Sequence, residues 1–167
     1  MDWTHFHLMA NHLPVLGLAF GLLILGWGIL RRSDDVLNIG LMILVLSAGA
    51  AVPVYLTGES AEETVENLPG VSEAVIERHE DSALYSLIAT IAAGSAALGT
   101  LVFSRVKQPV GRRFIFVPML FSFVALALIV WTANLGGQIR HTEIRSGTQT
   151  EASAGESHRG EHGDNDQ

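Results

Sequence analysis

The sequence predicts an all-α, integral membrane four-helix bundle with both termini outside. Three observations predict it. Four apolar runs lie at roughly Leu13–Leu30, Val36–Leu56, Ala83–Phe103 and Phe114–Leu135. Of the 167 residues 49% are hydrophobic and only 16% are charged, and those charges are crowded between the runs. Six of the ten Lys and Arg residues sit in two short loops, Arg31-Arg32 and Arg105 to Arg113. Each run is close to the ~20 residues a helix needs to cross ~30 Å of hydrocarbon. The excess of Lys and Arg places both basic loops in the cytoplasm. Residues 1–145 form the membrane domain, with helices at about 5–30, 36–56, 72–104 and 114–140, and residues 146–167 form a polar tail.

The first helix starts close to Met1-Asp2-Trp3, with Asp2 as a candidate cap. A cleaved secretory leader would open on basic residues, so this run is expected to stay as an anchor. Pro14 removes a backbone donor and leaves the carbonyl of Ala10 without its usual partner, which predicts a kink. Gly17-x-x-x-Gly21 is a helix-contact pattern. The second helix leads into an acidic outer loop containing Glu59, Glu62, Glu63, Glu66, Glu73, Glu77, Glu80 and Asp81. In that loop Ser60-Ala-Glu-Glu63 has the form of a capping box, so a short extra helix is expected to start there and to end at Asn67-Leu-Pro-Gly70.

Ser72 can cap the third helix, with Glu73 and Glu77 complementing its positive end. Running to Ser104, that helix is ~50 Å long at ~1.5 Å per residue, so it projects beyond the outer surface. His79 lies on the projecting part. One face below it reads Ser82, Ala83, Ser86, Thr90, Ala93 and Ala97, all small. Such a stripe serves close helix packing, and it also makes room for a flat macrocycle. The fourth helix either continues through Gly136-Gly137 or ends there. Trp3, Tyr55, Tyr85 and Trp131 fall near the outer helix ends, as a headgroup belt or as packing for a cofactor. From Ser146 to Gln167 there is almost no apolar content, which predicts disorder. His158 and His162 in that tail are bystanders or loose metal binders.

The chemistry of the chain is concentrated in histidines at helix ends on one outer face: His5, His7, His12, His79 and His141. Neutral imidazole is a strong ligand for iron, copper and zinc, and axial histidines from facing helices can clamp a haem in a bundle. With no cysteine, covalent haem attachment, Fe–S clusters and thiolate copper sites are excluded. His12, His79 and His141 are the leading ligands, as haem or metal donors, followed by His5 and His7. Arg78, Arg140 and Arg145 lie at the level where haem propionates want basic partners. A copper or zinc site would use the same histidines with a carboxylate such as Glu80 or Glu143. Simple exposure of interfacial histidines to water is the bland alternative.

The segments His5-Phe-His7-Leu-Met-Ala-Asn-His12-Leu-Pro14, Tyr55-Leu-Thr-Gly58, Val71-Ser-Glu-Ala-Val-Ile-Glu-Arg-His79-Glu80 and Gly136-Gly-Gln-Ile-Arg-His141 together resemble a family of small bacterial four-helix membrane proteins. The likeness covers nearly the whole membrane part. The resemblance implies binding of b-type haem. This chain has His12-Leu13-Pro14 where that family more often carries His-Phe-Pro.

The expected function is therefore membrane electron transfer through one or two b-type haems at the outer face of a bacterial cytoplasmic membrane. Electrons would pass between a quinol or redox-complex subunit and a periplasmic carrier. The alternatives are copper or zinc handling, and a non-catalytic accessory subunit of a membrane complex or a homo-oligomer. Catalysis by the chain alone is not expected, since there is no phosphate-binding glycine loop and no nucleophile arrangement. The net charge of −7 gives no basis for nucleic-acid binding. No ionisable residue lies mid-run, which disfavours a transporter.

Overall fold

The computed structural model describes residues 3–66, 70–107 and 112–140. His141, Glu143, Arg145 and the tail lie outside them, as does the side chain of Arg140. Six α-helices run in the order α1 (Trp3–Ala10), α2 (His12–Arg31), α3 (Asp34–Leu56), α4 (Gly58–Val65), α5 (Glu73–Lys107) and α6 (Phe116–Arg140), with a 3₁₀ turn at Arg112–Ile115 before α6. Four stretches are long and apolar enough to cross a membrane: Trp3–Arg31, Asp34–Val65, Glu73–Ser104 and Phe116–Ile139. No more than 33% of any apolar window is buried within the protein. The remainder exposes large side chains such as Phe20, Leu46, Leu120 and Phe123. In water so continuous an apolar surface is an aggregation hazard, whereas in lipid it is the solvated surface. The protein is an integral membrane protein.

The first span is one helix by hydropathy but two by hydrogen bonding. Asn11 forms a turn between α1 and α2, three residues before Pro14, whose missing N–H leaves the ladder open at Ala10. α2 and α3 are joined by only two residues. Arg32 closes α2 in the left-handed conformation (φ 55°), with backbone N–H bonds to Gly28 and Ile29 carbonyls at its end. Ser33 then caps α3, its hydroxyl accepting from the Val36 N–H at 3.4 Å. α4 follows α3 after the single residue Thr57, starting at Gly58 rather than at Ser60. The Thr57 hydroxyl is committed backwards, donating to the carbonyls of Pro53 (2.9 Å) and Val54 (3.0 Å), so it ends α3 instead of capping α4. α5 opens with the Ser72 carbonyl accepting from Val75 and Ile76.

α2 packs on α3, α3 on α5 and α5 on α6, and α6 touches α2 less extensively to complete the bundle. The core is built of large residues from the first two spans and small ones from the last two. Leu18, Leu25, Leu41 and Leu44 pack with Ala93, Ala97, Ala125 and Ile115. Glycines set the approach. Gly17 lies against Ser47, Gly21 against Leu44 and Gly94 against Ala48, and a Cβ at any of the three would collide with its neighbour. The contact pattern at Gly17 and Gly21 is therefore the α2–α3 seam. The small stripe of α5 is also buried: Ser82, Ser86, Thr90, Ala93 and Ala97 all face protein.

Candidate functional site: an imidazole pair at one rim of the bundle

Two of the five rim histidines turn into the protein. His7 on α1 and His79 on α5 are partly buried, while His5 and His12 are exposed. His5 and His12 lie on other faces of the first span, so they and the inward pair do not meet. Arg78, one residue before His79, is exposed. His141 falls outside the described residues.

Each inward ring is held by one nitrogen. His7 Nδ1 lies 2.9 Å from the carbonyl oxygen of Val54 and 3.3 Å from the Thr57 hydroxyl. His79 Nδ1 lies 3.0 Å from the carbonyl oxygen of Thr132. A carbonyl can only accept, so in both rings the proton sits on Nδ1. The neutral imidazole then presents the Nε2 lone pair, as metal-binding histidines do when a second partner fixes their tautomer.

Each of these carbonyls offers a second lone pair to its histidine. Val54 lies in the last turn of α3, where helical N–H donors run out, and its carbonyl takes the Thr57 hydroxyl as well as His7. Thr132 is inside α6, where its carbonyl is engaged with the N–H four residues on, at Gly136. A side chain at 136 would cover that carbonyl. With glycine, the His79 ring lies directly on the helix backbone, and a Cβ there would meet Cε1 at 3.1 Å and Nδ1 at 3.4 Å. The counterpart on the other side is Gly58, whose Cβ would lie 3.7 Å from His7 Cε1.

The two imidazoles are near enough to interact electrostatically. One turn on from His7, the Asn11 side-chain oxygen is buried with no hydrogen-bond partner among the described residues. Above the rim, burial and the neighbouring Glu80 of α5 push the Glu62 carboxyl of α4 up to about 7. Thr4 of α1 donates to the Ser60 carbonyl at 3.2 Å and bonds the Thr64 hydroxyl at 3.0 Å. α1 and α4 are thereby tied together over the pair.

Below His79 a hydroxyl cluster locks α5 to α6. Ser82 Oγ and Ser86 Oγ reach Thr132 Oγ1 at 2.6 and 2.9 Å, and Thr132 donates on to the Leu128 carbonyl at 3.0 Å. With its own proton committed, Thr132 accepts from both serines. Thr132 was not among the sequence candidates. Its signal was present: a lone threonine four residues before a glycine pair, at the depth of the serines on α5. Thr132→Val is expected to lower bundle stability by about 1–2 kcal/mol. The cost is at the low end because both serines can turn back to carbonyls of their own helix. Thermal unfolding in detergent measures it, and an unchanged midpoint would show the cluster to be incidental.

Comparison with protein families, curated proteins and solved structures finds no match. The functional reading of the chain rests on the site itself.

Proposed function

We propose that the protein binds a b-type haem between His7 and His79 and serves as a membrane electron-transfer protein. The observation that carries this is the pair of inward imidazoles from different spans, each held through Nδ1 with Nε2 left free. A haem fits such a pair because the macrocycle supplies four ligands and needs only two from protein. A tetrahedral zinc or copper centre needs more. Among the described residues no three His, Cys, Asp or Glu side chains converge as a metal site.

When bound, the haem supplies one-electron redox chemistry. The protein sets its potential by axial ligation, burial and the hydrogen bonds behind the ligands. Val54 and Thr132 carbonyls strengthen the donor character of each imidazole and fix its plane. Exposed Arg78 and the side chain of Arg140 are the basic candidates for propionates. With the basic loops cytoplasmic, the pair lies at the periplasmic rim of a bacterial cytoplasmic membrane, between a quinol or redox-complex subunit in the bilayer and a soluble carrier outside.

The visible spectrum of the purified protein, made with haem supplied, tests this. A b-type spectrum is expected in the parent and in His5→Ala and His12→Ala, and a lost or altered one in His79→Ala. A colourless preparation, or a spectrum indifferent to His79, would end the haem reading.

A further inference from the structure

Most buried positions of the two halves of the chain correspond at a fixed step within each pair of helices. The seven buried residues of α1 and α2, from Ala10 through Gly28, each have a buried counterpart 72 positions later in α5, from Ser82 through Thr100. His7 and His79 are separated by that same 72. In the returning helices the step is 78. Five of the seven buried positions from Leu37 to Thr57 match: Leu37, Gly40, Leu44, Ser47 and Thr57 correspond to Ile115, Pro118, Ser122, Ala125 and Leu135, all buried, while Leu41 and Ala51 fall on half-buried Met119 and Ile129. The acceptor Val54 corresponds to Thr132, and Gly58 to Gly136, at that step of 78. Side-chain identities at these buried positions are not shared, with Leu18 opposite Thr90 and Leu44 opposite Ser122. The relation lies in which positions are covered and in how each histidine is held.

Both hairpins run in the same sense, histidine helix first and acceptor helix second. Two parallel repeats of this kind are related by an axis along the membrane normal. The contacts follow that relation: α3 against α5 corresponds to α6 against α2. The second seam is looser. At the first, Gly94 meets Ala48. The corresponding positions at the second are Leu22 and Leu126, whose bulk keeps the helices further apart.

We infer that the chain is a fused pair of equivalent helical hairpins, that His7 and His79 are related by the axis between them, and that they bind one shared ligand centre per chain through both Nε2 atoms. This rests on the reading of the two histidines as a ligand pair, and it decides between one haem and two in favour of one. It also specifies the ligand class: a metal centre that accepts two equivalent imidazoles, such as iron in a planar macrocycle or two-coordinate Cu(I).

The test is a titration of the purified full-length protein with haemin and, separately, with Cu(I), for the parent, His7→Ala, His79→Ala and the double variant. Gel filtration in detergent and far-ultraviolet circular dichroism report whether each variant is folded. His7→Gln and His79→Gln serve if an alanine variant is not. The expected result is one equivalent bound per chain. Either single variant should lose affinity by about tenfold or more, since losing a ligand costs at least as much as losing its outer-shell support, and the double variant should be no worse than a single one. Two equivalents in the parent with one remaining in each single variant would overturn the shared centre and leave the haem reading standing. So would one equivalent that depends on His79 alone, whereas dependence on His7 alone would overturn both. No Soret band with haemin, but one equivalent of Cu(I) lost in both single variants, would end the haem reading and uphold the shared centre. Binding of neither probe by the parent would overturn both.

Discussion

Gly136→Val is expected to weaken binding of the proposed haem while leaving the bundle folded. A single carbon at this position already meets the His79 ring at 3.1 Å, and valine adds two more. The ring must leave the face of α6, and its 3.0 Å bond to the Thr132 carbonyl is lost. Freed from that partner, the imidazole can adopt the other tautomer or turn away. Loss of such outer-shell support typically costs about 10–100-fold in affinity. Gly58→Ala is the control. Its Cβ would sit 3.7 Å from His7, an ordinary contact, and little change is expected. Haem titration of the two variants checks the contrast. Parent-like affinity in Gly136→Val would show that the ring does not depend on its seat against α6.

Gly94→Leu is expected to damage stability and ligand binding together. The Cβ of residue 94 would overlap Ala48, and the Leu44 carbonyl lies 3.4 Å away, so the obstacle is the body of α3 rather than the end of a flexible side chain. Relief requires α3 and α5 to separate. Overpacking of this kind costs roughly 1–3 kcal/mol when neighbours can yield, and here the upper end or beyond is expected. The same displacement carries function with it. His7 is anchored to α3 through Val54, and His79 rides on α5, so parting these helices parts the imidazoles. Gly99→Leu, five residues further along the same helix and facing open space, should stay within about 0.5 kcal/mol of the parent. Thermal unfolding in detergent and haem titration on both variants give the comparison. A Gly94→Leu protein as stable as Gly99→Leu would contradict the close α3–α5 seam.

Much of the bundle was legible because the bilayer imposes a simple rule. Every backbone polar group must be satisfied within a span, so long apolar runs become helices regardless of their detailed sequence. The burial of Gly17, Gly21 and the Ser82 to Ala97 stripe could likewise be read, since small residues at helical spacing are where membrane helices approach. The start of α4 was less legible. Ser60 and Glu63 have capping-box spacing, but Thr57 had already ended α3 one residue before the chain turned helical again at Gly58.

Which histidines turn inward was the least legible part. His12 ranked with His79 by depth, and His7 came last because by helical spacing it points away from the face shared by His5 and His12. Which way a ring faces depends on the rotation of each helix about its own axis. That rotation is fixed by packing against Ser47, Leu44 and Ala48 on neighbouring helices. The break at Asn11 further uncouples α1 from the phase of α2, so counting turns from the apolar run misplaces the first histidines.

The amino-acid sequence by itself determined four membrane spans, an acidic rim, a histidine-rich end and the absence of thiol chemistry, because these depend on composition and local order alone. Only the tertiary structure decided that His7 and His79 turn into the protein, that Val54 and Thr132 hold them, and that the two halves of the chain share much of one pattern of burial. Those facts depend on distances between residues about 50 positions or more apart, which hydrophobic periodicity does not encode.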